Sequence, residues 1–267
     1  MKKCASLLRR ALAFGLVFIL LLVRARADDL CLSVSNGVSH SIVKYTPDRA
    51  QSTFAADGLS NPWGLAFDSA RNLYVANRNN STIMKFTPDG VGSLFASTGL
   101  NNPYGLAFDS AGNLYAAHQN NTIVKFSPDG VGPEFASAGL SYPTGLAFDH
   151  AGNLYVANGG NDTIQKFTPE GVGSTFASSR LHSPYGLAVD RGNNLYATNS
   201  NSDTIQKFTP EGLGSVLASS GLSNPFGAAI DSAGNFYTGN YFGSAIRKFT
   251  PEGVGSNFPG APGLSLA

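Results

Sequence analysis

The sequence predicts an all-β protein: a six-bladed β-propeller of four-stranded antiparallel blades, its ring closed by a C-terminal strand that joins the N-terminal blade. Three observations predict it. A unit of about 41 residues recurs with almost no insertions, its leading prolines at 62, 103, 143, 184 and 225 and the lysines of its Lys-Phe pair (Lys-Tyr in the first copy) at 44, 85, 125, 166, 207 and 248. Each unit carries four short strand signals, and no helical apolar pattern persists past the first residues. The two ends carry complementary fragments of one further unit.

Within a unit, "GLAFD" and "NLYVAN" are short apolar runs separated by "SAG" or a variant of it. Asp opens that connection and Gly nearly ends it, as a tight turn requires, because Asp bonds nearby backbone and Gly accepts positive φ. Arg71 and Asn193 replace the Gly in two copies. "TIQKFTP" is a third strand, ended by the turn sequence "PDG" or "PEG". "GSTFAS" is a fourth, shorter and more polar. One such meander cannot bury both faces alone, so copies must stack, and four strands in about 40 residues fit a propeller blade.

From Asp28 onward the chain has 240 residues, six units of 40. Leu32 to Leu59 supplies the second to fourth strands of a unit with no "PxGLAFD" before them. "PGLSLA", Pro262–Ala267, resembles that missing first strand. Joining the two would complete a sixth blade from 28–61 and 262–267 and hide two open sheet edges.

Residues 1–27 read as a secretory signal. "MKKCASLLRR" is basic, Ala11 to Val23 is apolar or small, and Ala25 and Ala27 make an A-x-A site with cleavage expected after Ala27. The apolar run is short of the roughly 20 residues of a membrane span; a retained anchor is the rival reading. Cleavage takes six of the 18 basic residues and leaves 12 against 17 acidic, a net charge of −5. That balance argues against a nucleic-acid partner. Cys4 leaves with the leader, and Cys31 alone forms no internal disulfide; it pairs with another chain or is a small apolar residue. The expectation is a secreted or periplasmic monomer without stable membrane insertion and without a cofactor or metal.

The unit "PxGLAFDxxGNLYVANxxNxTIxKFTPxG" resembles the NHL repeat, from about Leu30 to Ala267. It departs from the family pattern by ending its second strand mostly in Asn. The resemblance implies a six-bladed propeller with the Pro-x-Gly strand innermost. It also implies that the loops before that strand and after "NLYVAN" share one face, on which such propellers bind or act. The family's functions scatter from protein and RNA binding to sensing and a lyase, so fold does not settle function.

Positions where the copies disagree on that face are the candidate ligand-binding residues. The residue after each leading proline is Trp63, Tyr104, Thr144, Tyr185 or Phe226. These either present contact area to a sugar or peptide, or plug the channel. The second strands end in Asn36, Asn77, His118, Asn158, Asn199 and Asn240. These are turn residues or a polar collar for a ligand, with His118 the member that could titrate. Tyr241 and Phe242 are aromatic where other loops are polar, a candidate partner patch. Asn79, Asn80, Asn120 and Asn161 begin glycosylation sequons. Asp68, Asp109, Asp149, Asp190 and Asp231 could ring a cation but each opens the same turn.

Two enzymatic relatives implied by the resemblance fit poorly. A gluconolactonase-type site needs a carboxylate at the inner-strand entrance, where aromatics and Thr144 stand. A lyase with zinc-bound histidines needs three that converge, whereas His40, His118, His150 and His182 occupy unlike positions. No nucleophile elbow or phosphate loop is present. The reading is a binding or scaffold propeller for a protein or glycan, the alternative a metal-dependent lactonase- or lyase-like enzyme.

Overall fold

The structure, a computed structural model, describes residues 18–23, 31–36, 40–45, 51–242 and 246–258. The architecture is a β-propeller of four-stranded antiparallel blades, each an in-order meander. We name each blade by its leading proline. The Pro62 blade runs Pro62–Phe67, Leu73–Asn77, Thr82–Phe86 and Gly92–Ala96. The Pro103, Pro143 and Pro184 blades repeat it. The Pro225 blade is abbreviated at its inner strand, where Ala229–Ile230 pairs with Phe236–Tyr237 and Pro225 bridges Asn240.

The Pro-x-Gly signature has a steric cause. A Cβ built on Gly64 would run into the carbonyl oxygen of Tyr104 in the next blade. Gly105 meets Thr144 O in the same way, Gly145 meets Tyr185 O and Gly186 meets Phe226 O. Inner strands therefore touch backbone to backbone around the axis, an approach only Gly permits. Between blades the contacts are apolar: Tyr74 packs edge-on against Phe95 of its own blade and Phe108 of the next, centroids 4.9 Å apart in both cases. Phe86, Phe126, Phe167, Phe208 and Phe249 close the third strands, each essentially inaccessible to solvent.

The turn aspartates serve the fold. Asp68 accepts the N–H of Asn72 at 2.8 Å, the Asn72 side-chain amide at 2.7 Å and the Tyr74 hydroxyl at 3.4 Å, and the other four copies repeat the pattern. Burial works against the Asp109 carboxylate, but bonds from Asn113 and the charge of Lys125, 3.5 Å away, outweigh it and lower its pKa.

The N-terminal sheet is also four-stranded: Phe18–Val23, Cys31–Asn36, Ser41–Tyr45 and Gln51–Ala55. Phe18 pairs with Asn36 as Pro62 pairs with Asn77. The Phe18–Val23 backbone neighbours Pro62–Phe67 on one side and the first two strands of the Pro225 blade on the other. The apolar stretch expected to be part of the leader thus stands as an inner strand, the place that the sequence reading assigned to Pro262–Ala267. Those last residues lie outside the described ones. A six-residue apolar run suits a strand buried on both faces as well as it suits a leader.

Candidate functional site

Loops before the inner strand and after the second strand meet on one face. Their main chains bond in pairs: Arg78 N to Asn61 O, Gln119 N to Asn101 O, Gly159 N to Tyr142 O, Ser200 N to Ser183 O and Tyr241 N to Asn224 O, all between 3.0 and 3.1 Å. In the Pro62, Pro143 and Pro184 blades the inner-strand ladder breaks register just after the proline. Such a bulge re-aims the side chain that follows.

Four of the five predicted entrance residues come together. Trp63 lies edge-on to Tyr104, centroids 5.3 Å apart, and 5.8 and 6.1 Å from Tyr185 and Phe226. Tyr185 and Phe226 are 4.1 Å apart. Thr144 does not join them; it is buried, its hydroxyl turned back to the carbonyls of Pro184 and Tyr185, each 3.1 Å away. Tyr142, the residue before that blade's proline, supplies a ring instead, 5.1 Å from Tyr104. At the other end Tyr241 stacks 5.3 Å from Phe226, and Phe242 stands 5.0 Å from Tyr241 with half its surface in solvent. The result is one aromatic bed running Tyr142, Tyr104, Trp63, Phe226, Tyr241, Phe242 across the mouth.

Arg78 crowns this bed, its guanidinium 5.3 Å from the Trp63 ring and 4.9 Å from the Tyr104 ring, an arrangement favoured by the ring quadrupoles. The Tyr104 and Tyr142 hydroxyls bond each other, while the buried Tyr185 hydroxyl has no partner among the described residues. Burial raises the pKa of Tyr104 and, well above its ordinary value, that of Tyr185, so these phenols are donors at neutral pH. Along the inner strands the described side chains leave a cavity of only about 70 Å³, room for a few waters and not for a sugar ring.

The asparagines are engaged elsewhere. Asn77 is fully buried; its Oδ1 accepts the N–H of Ser60 at 3.0 Å and its Nδ2 donates to Gly58 O at 2.9 Å and Thr82 Oγ1 at 3.0 Å. Asn158 and Asn199 repeat all three bonds, and Asn240 the two to backbone. Where the three bonds form, both amide protons are spent within the fold. His118 fills the fifth such position with Nδ1 3.3 Å from Thr122 Oγ1 and Nε2 buried without a partner. Burial lowers its pKa to about 4, so the imidazole is neutral at physiological pH. Among the described residues no three His, Cys, Asp or Glu side chains gather as a metal site.

Arg78 and Tyr142 were not singled out in the sequence. The signal for Tyr142 was present: every other pre-proline residue is Asn or Ser, and Tyr stands only where the following position is Thr. Chemically the mouth offers aromatic area and hydrogen-bond donors among the described residues.

A propeller whose mouth is bridged by aromatic side chains and carries a cation is the class this geometry defines. Residues 59–86 match the NHL repeat family, so the chain carries an NHL repeat within that propeller. Among solved structures it is similar to virginiamycin B lyase from Staphylococcus aureus, with 14% identity over 92% of this chain and 84% of that one at a TM-score of 0.71. A chain of a nidogen/laminin complex shares 21% identity over 79% and 86% at 0.73. A gluconolactonase from Xanthomonas campestris shares 17% over 93% and 88% at 0.68. At these identities the likeness is one of fold. No curated protein matches the sequence.

Proposed function

We propose that this chain is an exported, six-bladed NHL-repeat propeller that holds a protein or glycan ligand on its aromatic face and catalyses no reaction. The observation that carries the reading is the continuous bed from Tyr142 to Phe242, partly exposed at both ends above an inner-strand cavity of about 70 Å³. Aromatic bodies with polar tips give large contact areas at low entropic cost. The polar collar takes no part in this; the aromatics and Arg78 do.

Export follows from the basic, apolar and A-x-A order of the first 27 residues. Cleavage after Ala27 removes Phe18–Val23, and the pattern of Pro262–Ala267 suits the vacated place, so the mature ring would close through its C-terminus. Deleting 262–267 from a chain that starts at Asp28 then costs far more stability than trimming a tail, and an unchanged melting temperature refutes the closure.

The test of function is a screen of glycan and peptide arrays with the wild type and with a Tyr241→Ser/Phe242→Ser variant. The reading expects a ligand held by the first and lost by the second, with equal melting temperatures. Equal binding by both contradicts it. A second reading, a metal-dependent lyase or lactonase, draws on the fold neighbours named above; stoichiometric metal in the purified protein and a large stability loss in chelator would favour it.

A further inference from the structure

Donors without acceptors gather at one point of the mouth. Arg78 brings guanidinium N–H groups that meet two ring faces and form no ion pair with any described carboxylate. The Tyr104 and Tyr142 hydroxyls share one bond, so one of their two protons stays free. The Tyr185 hydroxyl, deep in the cluster, has no partner among the described residues. Asp162 and Asp203, on the same face, already accept the N–H groups of Ser183 at 2.6 Å and Asn224 at 2.5 Å. A buried donor without an acceptor is costly, and a cation ringed by further donors is complementary to an oxyanion.

The surroundings narrow the carrier of that anion. An extended peptide needs free main-chain groups, and here the loop main chains pair with one another. The exposed rings of Tyr142 and Phe242 suit instead the C–H faces of sugars. We propose that the mouth binds an acidic oligosaccharide, one uronate carboxylate held by Arg78 with the free phenol proton of the Tyr104–Tyr142 pair and a further sugar of the same chain resting against Tyr241 and Phe242. This rests on the binding reading above and specifies its ligand. The chain past Ala27 is net acidic, so recognition is local rather than steered from afar.

The chain has a single tryptophan, Trp63, so its fluorescence reports on this site alone. The full protein is titrated with a galacturonate trimer, with the neutral galactose trimer and with a free-carboxylate hexapeptide. Saturable change is expected with the galacturonate trimer, at least about tenfold tighter than with the neutral one, as loss of a charge-assisted bond implies, and weakening with salt in the wild type. Arg78→Gln loses about tenfold without a change in melting temperature, and Tyr142→Phe loses a smaller factor. Equal affinity for the neutral trimer, an Arg78→Gln variant that binds as well, or binding of the peptide alone overturns the uronate assignment. If what binds then is still lost in Tyr241→Ser/Phe242→Ser, the binding face survives while the uronate falls. If no probe and no array ligand binds, both fall.

Discussion

Asn61 donates its main-chain N–H to Nδ1 of His40 at 2.7 Å, across the seam between the N-terminal sheet and the Pro62 blade. The same clasp recurs at the next four seams along the chain, always 21 residues apart: Asn102 N to Ser81 Oγ, Tyr142 N to Asn121 Oδ1, Ser183 N to Asp162 Oδ1 and Asn224 N to Asp203 Oδ1, at 2.5 to 3.0 Å. All ten residues have positive φ between 41° and 62°, a conformation that non-Gly residues hold only when neighbours enforce it. Each clasp ties the loop of one blade to the start of the next, which fixes the mouth.

Asp203→Ala removes one clasp and leaves the blades intact. The bond is exposed, so the cost is about 1 kcal/mol, and thermal melting reads it. A neutral result would show that the seam holds by inner-strand packing alone.

The buried asparagines matter more. Asn199→Ala orphans the N–H of His182 and the carbonyl of Arg180 and leaves the Thr204 hydroxyl only its Ser202 partner, for an expected loss of roughly 2 to 4 kcal/mol in denaturant unfolding. Asn199→Asp keeps the acceptor but sets a carboxylate against the Arg180 carbonyl, and is expected to be no milder.

The unit, its strands and its turns could be read because each rests on local chemistry: Gly64 at a backbone contact, Asp68 capping its own turn, Phe86 closing a third strand. The mouth was half legible. Trp63, Tyr104, Tyr185 and Phe226 were found from their position after proline, yet Thr144 turns inward, since a small hydroxyl finds carbonyl partners there. Tyr142 and Arg78 were missed because loop geometry, not strand alternation, delivers them. The asparagines were seen in number but not in their bonds, which span 17 to 19 residues. Phe18–Val23 could not be placed, since one apolar run serves a leader and a strand alike.

His118 makes stability depend on acid. Its pKa is about 4 in the fold against 6.5 ordinarily. Between those values the unfolded chain binds a proton that the folded one refuses. The stability it lends is whole above about pH 6.5 and falls by roughly 3 kcal/mol as pH drops to 4. His118→Asn, the residue of the other four described positions, removes that slope; melting curves at pH 7 and pH 5 that shift equally in both proteins would refute it.

Arg71 holds φ at +68° where three other copies place Gly. Arg71→Gly is expected to gain up to about 1 kcal/mol, the left-handed penalty less the added freedom of the unfolded chain. A lower melting temperature would show that the Arg71 side chain earns its place by contacts.

The account turns on a mouth bridged by aromatic side chains rather than an open channel, and the fluorescence of Trp63 tests that most directly. With this residue 9% exposed and walled by Tyr104, Tyr185 and Phe226, the free protein is predicted to emit at short wavelength and to resist quenching by acrylamide. Long-wavelength emission with ready quenching would mean an open channel, and would contradict the binding face built on its closure.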